Sequence, residues 1–154
     1  MRFAKAAKTY KALERKYRAF AADELVWTNG AHFEFLYLDL EKMGLAKGKV
    51  LARTPKKKHH VRCVEFAGDQ LARERGFVED AVDEDIFFDY QSGYQVSTRF
   101  LRRDEGFVLT AVSVNYLKGG IVRSFEHYSK TPRSETLISG SYGYDKMKPN
   151  CPNR

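Results

Sequence analysis

The first stretch of the chain alternates apolar and polar residues with the period of an α-helix. Between Phe3 and Phe20, apolar positions recur at steps of three and four residues, which places them on one stripe of a helix. The stripe consists of Phe3, Ala6, Tyr10, Leu13, Tyr17 and Phe20. Several further alanines raise the helix propensity of this segment. The pattern therefore predicts an amphipathic helix over residues 3–22.

The next segment, residues 25–45, has two interpretations. Apolar residues at helical spacing, followed by a Gly44-Leu45 ending, favour a helix from about Asn29 to Met43. However, Asn29-Gly30 between two apolar runs is also typical of a tight β-hairpin turn. We favour the helix and keep the hairpin as the alternative.

A third helix is indicated after the basic segment that follows. Thr54-Pro55 has the residue types of an N-cap and a first helical position. Helical spacing then continues through Val61, Val64, Ala67 and Leu71. The sequence thus predicts a helix from about Pro55 or Lys58 to Arg75, with a short strand over Val61–Phe66 as the alternative.

From Ile86 onward the period changes to two residues, which is typical of β-strands. Five segments rich in β-branched and aromatic residues are separated by short turns. They are Ile86–Gln91, Tyr94–Arg102, Phe107–Leu117, Ile121–Lys130 and Thr136–Tyr144. Short connections predict antiparallel pairing in a meander. On the third strand, Val108, Val112, Val114 and Tyr116 are expected to face the core.

Helices followed by strands predict an α+β fold. We expect two or three N-terminal helices packed on a C-terminal antiparallel meander sheet of four or five strands. A chain of 154 residues is long enough for one domain with its own core. The predicted domain covers residues 1–146, with a helical part to about residue 76 and a sheet part over about 86–144. Residues 147–154 are predicted to be a loose tail.

Two short motifs near the N-terminus resemble those of a known family. Tyr17-Arg18-Ala19-Phe20-Ala21-Ala22-Asp23, followed by Val26-Trp27-Thr28-Asn29-Gly30, resembles the helix-to-hairpin entry of the cone-shaped folds related to nuclear transport factor 2. The resemblance implies a cone-shaped α+β fold and, as one function, a small-molecule enzyme or ligand carrier. The Asp/His pair of the enzymatic members cannot be placed in this chain, so the resemblance implies no site residues.

Charge modifies this picture because it is distributed in blocks. The chain has 27 Lys and Arg against 20 Asp and Glu, a formal net charge of +7. Residues 1–22 and 47–76 are strongly basic, whereas residues 77–98 hold acidic residues and no Lys or Arg. The acidic block, Asp80, Asp83, Glu84, Asp85 and Asp89, is expected to be a solvated loop or a contact for one of the basic helices.

The two basic segments provide the candidate binding residues. Lys8, Lys11, Arg15 and Arg18 would share one face of the first helix, and a second cluster comprises Lys56, Lys57, Lys58, His59, His60 and Arg62. Cations in the first turns of a helix oppose its dipole, which favours an anionic partner there. We therefore predict a non-enzymatic binding or assembly protein whose basic helices contact nucleic acid (RNA or DNA) or an acidic protein surface.

Two alternative functions remain open at this point. Strand alternation would place Arg123 and His127 on one face, where His127 could act as a general base and Arg123 as an anion clamp. With Tyr94, they would form the pocket of a small-molecule enzyme or ligand carrier. The other alternative is a structural subunit of a large complex or virion.

Several classes of protein are disfavoured by missing motifs. The sequence lacks the usual catalytic, cofactor and zinc-ligand spacings, so we predict no catalytic residue, cofactor or metal. No apolar stretch approaches the roughly 20 residues that span a bilayer. Cys63 and Cys151 lack a disulfide-scaffold or Cys-x-x-Cys spacing, and no secretory signal precedes them. An intracellular, reducing compartment is expected, cytoplasmic rather than mitochondrial.

Overall fold

A single large sheet dominates the molecule. The computed structural model of the chain describes residues 10–19, 22–32, 44 and 46–142. In these ranges it contains helix α1 (Tyr10–Arg18) and nine strands. The strands are β1 (Glu24–Asn29), β2 (Lys49–Val50), β3 (Val61–Ala67), β4 (Gln70–Val78), β5 (Ala81–Gln91), β6 (Tyr94–Arg103), β7 (Gly106–Lys118), β8 (Ile121–Lys130) and β9 (Glu135–Ser141). They pair antiparallel in the order β2-β1-β3-β4-β5-β6-β7-β8-β9.

The predicted α+β fold is wrong. The described chain is mostly a nine-stranded antiparallel sheet with one short helix, rather than two or three helices on four or five strands. The five segments predicted as strands are strands β5–β9, and each pairs with its neighbour in sequence. The difference lies in the first half of the chain, where β3 and β4 occupy a segment predicted to be helical. The predicted tail over residues 147–154 lies outside the described residues.

The predicted helix from Pro55 or Lys58 to Arg75 is a β-hairpin. Strands β3 and β4 pair along their length and are joined by a turn at Gly68 and Asp69. Val61 and Val64 are both buried although they point to opposite faces, at 8% and 0% exposed. A strand buried on both faces lacks the apolar-polar alternation of a half-buried strand. Its apolar residues can therefore fall at helical spacing.

The segment after β1 also departs from the favoured helix. Asn29 ends β1, and Gly30, Ala31 and His32 are not helical. The chain pairs with β1 again only at β2, where Asn29 lies opposite Lys49. Gly48 approaches Gly30 so closely that an added Cβ would lie 2.6 Å from the Gly30 oxygen. The rest of the predicted helix, residues 33–43, lies outside the described residues.

Helix α1 covers one face of the sheet, which we call the helix face. The predicted helix over residues 3–22 is confirmed for Tyr10–Arg18, the part that the structure describes as helical. Its apolar stripe packs through Leu13 and Tyr17 on Ala72, Phe87 and Phe100. In the described ranges, no helix is long and apolar enough to cross a membrane.

An irregularity in β7 determines which side chains share a face. Arg99 lies opposite Ala111, and Phe100 lies opposite Leu109, so Thr110 is an extra residue in β7. Leu109 therefore points to the helix face, and Ala111 points to the other face, which we call the groove face. The predicted core face of β7 is consequently wrong for Val108, which lies on the groove face and is 42% exposed.

Candidate functional site

An ion-pair network occupies the groove face beside β4. Arg62 Nη1 lies 2.7 Å from Glu74 Oε1, and the guanidinium of Arg62 also pairs with Glu84. Glu84 pairs in turn with Arg99. Both carboxylates are nearly inaccessible, with Glu74 at 2% and Glu84 at 5% exposed. Two cations and two anions thus neutralise each other within the sheet.

The register explains why Arg62 reaches Glu84 across a strand. Gly76 of β4 lies opposite Arg62 on one side and opposite Glu84 on the other. A Cβ at residue 76 would lie 3.3 Å from Glu84 Cβ and 3.9 Å from Arg62 Cζ. The missing side chain leaves the space in which the two groups meet.

We expect Gly76→Ala to lower the free energy of unfolding by about 1–2 kcal/mol, because the methyl group crowds the ion pair. Urea denaturation measures the change. In an Arg62→Met background, where the pair with Glu84 is already absent, the same substitution should cost less. An equal loss in both backgrounds would contradict this role of Gly76.

The environment of the network shifts its ionisation. Burial raises the pKa of Glu74 above its ordinary value, although Arg62 opposes this shift. Burial alone would lower the pKa of Arg62, but the carboxylates of Glu84 and Glu74 outweigh it and raise the pKa. Arg62 is thus a permanently charged group whose charge is used inside the fold.

A second cluster centres on His127 in β8. Its Nδ1 lies 2.7 Å from the hydroxyl of Ser113, which is directly opposite in β7. Ser113 is fully buried, whereas His127 is half-buried. The contact orients the imidazole ring of His127. Because Ser113 is buried, its hydroxyl is not accessible to a molecule outside the protein.

His127 also lines a cavity of about 790 Å³, which we call the β7–β8 groove. The groove lies at the end of the sheet where the β6–β7 turn and the β8–β9 loop lie. Its lining residues are Arg99, Leu101, Arg102, Arg103, Asp104, Glu105, Val108, Leu109, Thr110, Ala111, His127, Ser129, Lys130, Thr131 and Pro132. A smaller cavity of about 450 Å³ shares Arg99 and Leu101 with it. Arg99 therefore connects the ion-pair network to the groove.

The predicted pocket of His127, Arg123 and Tyr94 is only partly assembled. Tyr94 lies opposite Tyr116, whose side chain points to the face opposite that of Ser113 and His127. Arg123 is an extra, exposed residue at the irregularity between β7 and β8. Neither lines the β7–β8 groove. The structure thus places a cavity at His127 but surrounds it with other residues.

The predicted basic clusters are also separated. Lys11, Arg15 and Arg18 are exposed on α1, away from the sheet, and Lys8 lies outside the described residues. The residues Lys56, Lys57, Lys58, His59 and His60 form a loop before β3 rather than a helix. The argument from an opposed helix dipole at this cluster is therefore wrong.

Several cations of these clusters are used within the fold. Lys58 lies over the rings of Trp27 and Phe77, at 5.6 and 5.4 Å from their centroids. Arg62 belongs to the ion-pair network. The prediction of nucleic-acid or RNA binding through two basic helices is corrected accordingly, because the second helix is a strand hairpin. Contact of α1 with an acidic protein surface stays a prediction.

Asp80 of the acidic block lies in the turn before β5, and the other four acids lie on β5 itself. Glu84 points to the groove face, whereas Asp85 points to the helix face and binds Arg73. Asp89 pairs with Lys16 of α1 at 3.0 Å and Asp85 accepts a hydrogen bond from Tyr10 of α1, so two acids of the block contact the first basic helix. Three acids of the block thus pair with cations from the two basic segments: Glu84 with Arg62, Asp85 with Arg73 and Asp89 with Lys16.

The sequence indicated His127 but not the other groove residues. Arg99, Ala111 and Ser129 stand opposite one another on three strands, which only the register reveals. In the described ranges, no group of three or more His, Cys, Asp or Glu residues is arranged to hold a metal ion. The chain matches no protein-family model, and neither a curated protein nor a solved structure matches it.

Proposed function

We propose that the protein binds a small amphipathic anion in the β7–β8 groove and acts as a carrier or receptor rather than an enzyme. The supporting observation is a cavity of about 790 Å³ that combines apolar side chains with a mainly cationic border. This volume lies in the range of small-molecule sites, roughly 300–1,000 Å³. The occupant would carry an apolar body and a carboxylate, sulfonate or phosphate group.

The apolar residues of the groove would bind the apolar body of such a ligand. Leu101, Val108 and Ala111 share the groove face, and Pro132 borders the cavity from the β8–β9 loop. Val108 is 42% exposed. An occupant that removed this side chain from water would gain about 25 cal/mol per Å² of buried apolar surface.

The charged part favours an anion. Four cationic residues and two acidic ones line the groove, and two of the cations also form ion pairs, Arg99 with Glu84 and Lys130 with Glu135. The cations are Arg99, Arg102, Arg103 and Lys130, and the acids are Asp104 and Glu105. Hydrogen bonds between an ionised donor and an ionised acceptor are about twice as strong as neutral ones. The border would therefore orient the anionic group of the ligand.

The burial of Ser113 favours a binding protein over an enzyme that uses Ser113 as a nucleophile. A serine nucleophile needs both a base and access to its substrate. Ser113 has the first of these at 2.7 Å, but its side chain is fully buried. We therefore assign the pair to holding His127 at the groove.

The proposal predicts saturable binding of an amphipathic anion, tested with the fluorescent dye anilinonaphthalene sulfonate. Replacing Arg103 and Lys130 together by glutamine should weaken binding roughly tenfold, because two cations near the sulfonate are lost. The matched control replaces Lys57 and Lys118, two exposed cations outside the groove, and should leave the affinity unchanged.

A neutral probe separates charge from apolar contact. N-phenylnaphthylamine lacks the sulfonate, so its affinity should be the same for wild type and both double variants. Equal dye affinities of the two double variants, or no saturable binding by the wild type, would overturn the proposal. Thermal unfolding of each variant establishes that the dye reports the folded protein.

A further inference from the structure

The two edges of the sheet differ in how they are protected. At one edge, β2 has only two residues and includes Lys49. Short edge strands and lysines hinder pairing with another chain. At the other edge, β9 has seven residues and contains neither lysine nor proline. Leu137 and Ile138 of β9 are 63% and 49% exposed, on opposite faces of the sheet.

Among the described residues, the outward backbone groups of β9 have no strand partner. The N–H of Tyr142 donates to the carbonyl of Arg123, and that of Thr131 donates to the carbonyl of Ser134, each at 2.8 Å. In an antiparallel pair, alternate residues direct both backbone groups toward the partner strand. Even-numbered residues of β9 therefore bind β8, whereas Glu135, Leu137, Ser139 and Ser141 point outward. In the described chain, no strand pairs with this side of β9.

We propose that β9 pairs with β9 of a second copy of this chain, antiparallel about a two-fold axis. In the register that centres on Ile138, Leu137 lies opposite Ser139 of the second copy and Glu135 lies opposite Ser141. Each of these outward-facing pairs exchanges two backbone hydrogen bonds. The two sheets become one continuous sheet.

Self-pairing is favoured because the strand complements itself in this register. Ile138 faces its own copy on the groove face in a non-hydrogen-bonded pair, the type with the closest side chains. On the helix face, the two Leu137 side chains are diagonal neighbours, still within reach of each other. The strand carries a single charge, Glu135, which binds Lys130 in its own chain at 2.6 Å. No like charges are brought opposite each other.

The backbone contact is tested by substituting proline for a residue whose N–H points outward. Ser139→Pro removes an edge donor without removing a hydrogen bond to β8. We expect wild type to show concentration-dependent dimerisation in analytical ultracentrifugation, and Ser139→Pro to raise the dissociation constant at least tenfold. Ser139→Ala, which keeps the N–H, is the matched control and should dimerise like wild type. Circular dichroism verifies that the proline variant is folded.

The register is tested by disulfide formation in a Cys151→Ser background. Ile138→Cys should form an intermolecular disulfide readily, because the two residues 138 face each other in the dimer. Thr136→Cys should not, because its two copies are offset by four residues in the same register, about 14 Å at 3.4 Å per residue. A wild type that stays monomeric at millimolar concentration, unchanged dimerisation of Ser139→Pro, or equal cross-linking of both cysteines would overturn the proposal.

Discussion

Replacing Asp85 by asparagine is expected to lower the free energy of unfolding by about 3–5 kcal/mol, the usual cost of breaking a buried ion pair by removing one partner. Asp85 is completely buried, and its two carboxylate oxygens accept hydrogen bonds from Arg73 at 2.8 and 2.6 Å. Tyr10 of α1 donates a third hydrogen bond to it at 2.9 Å. Asparagine keeps the shape but leaves the guanidinium of Arg73 without a counter-charge.

The Asp85 carboxylate changes the ionisation of its two partners. Burial alone would lower the pKa of Arg73, but the hydrogen bonds and charge of the Asp85 carboxylate outweigh it, so the pKa lies well above its ordinary value. Burial, assisted by Asp85, raises the pKa of Tyr10, so the phenol keeps its proton and remains a donor. The cluster therefore contains one cation, one anion and one neutral donor, and each has a partner.

Urea denaturation of Asp85→Asn provides the measurement, and Asp83→Asn is the matched control. Asp83 lies in the same strand but is exposed, so its replacement should change stability by less than about 0.5 kcal/mol. The double variant Arg73→Met/Asp85→Leu removes both charges and should be less destabilised than the sum of the two single variants. A loss below about 1 kcal/mol for Asp85→Asn would contradict the assignment.

Replacing Phe87 by alanine is expected to lower the free energy of unfolding by a similar amount, about 3–5 kcal/mol. Phe87 is 1% exposed and lies between the helix and the sheet. Its ring centroid is 5.9 Å from that of Tyr10, 5.1 Å from that of Tyr17 and 6.0 Å from that of Phe100. Alanine leaves a cavity under α1 that the rigid sheet cannot close.

Leu137→Ala is the control for Phe87→Ala because Leu137 is 63% exposed and should change the stability of the monomer by less than about 0.5 kcal/mol. Chemical denaturation at low protein concentration compares the two. Far-ultraviolet and near-ultraviolet circular dichroism show whether α1 detaches before the sheet unfolds. Similar losses for both variants would contradict the central position of Phe87.

The sequence predicts strands β5–β9 because turn residues and a period of two residues coincide there. Strands β3 and β4 lack that coincidence. Val61 and Val64 are buried on opposite faces, and Gly76 interrupts the apolar pattern to make room for an ion pair. Helical spacing in such a segment results from burial on both faces, which only the neighbouring strands determine.

The candidate site follows the same logic. The sequence identifies His127 because strand alternation predicts Arg123 on the same face, and such a pair could act as a general base and an anion clamp. Its contact with Ser113 and its place near Arg99 depend on the pairing of three strands. The extra residue Thr110 changes which side chains of β7 point into the groove, and nothing in the sequence of β7 marks it. The sequence of one strand therefore cannot predict a site whose residues are brought together by the register of several strands.

Glu84 and Asp85 are neighbours in β5 whose side chains point to opposite faces of the sheet. This arrangement makes a wrong register of β5 unfavourable. A slip of β5 by one residue would turn Glu84 toward α1 and Asp85 toward the groove. Both carboxylates would then be parted from Arg62, Arg99 and Arg73, and buried charges would lack partners. Misaligned sheets are thus penalised on both faces at once. The native register of β5 is therefore favoured by ion pairs on both faces of the sheet.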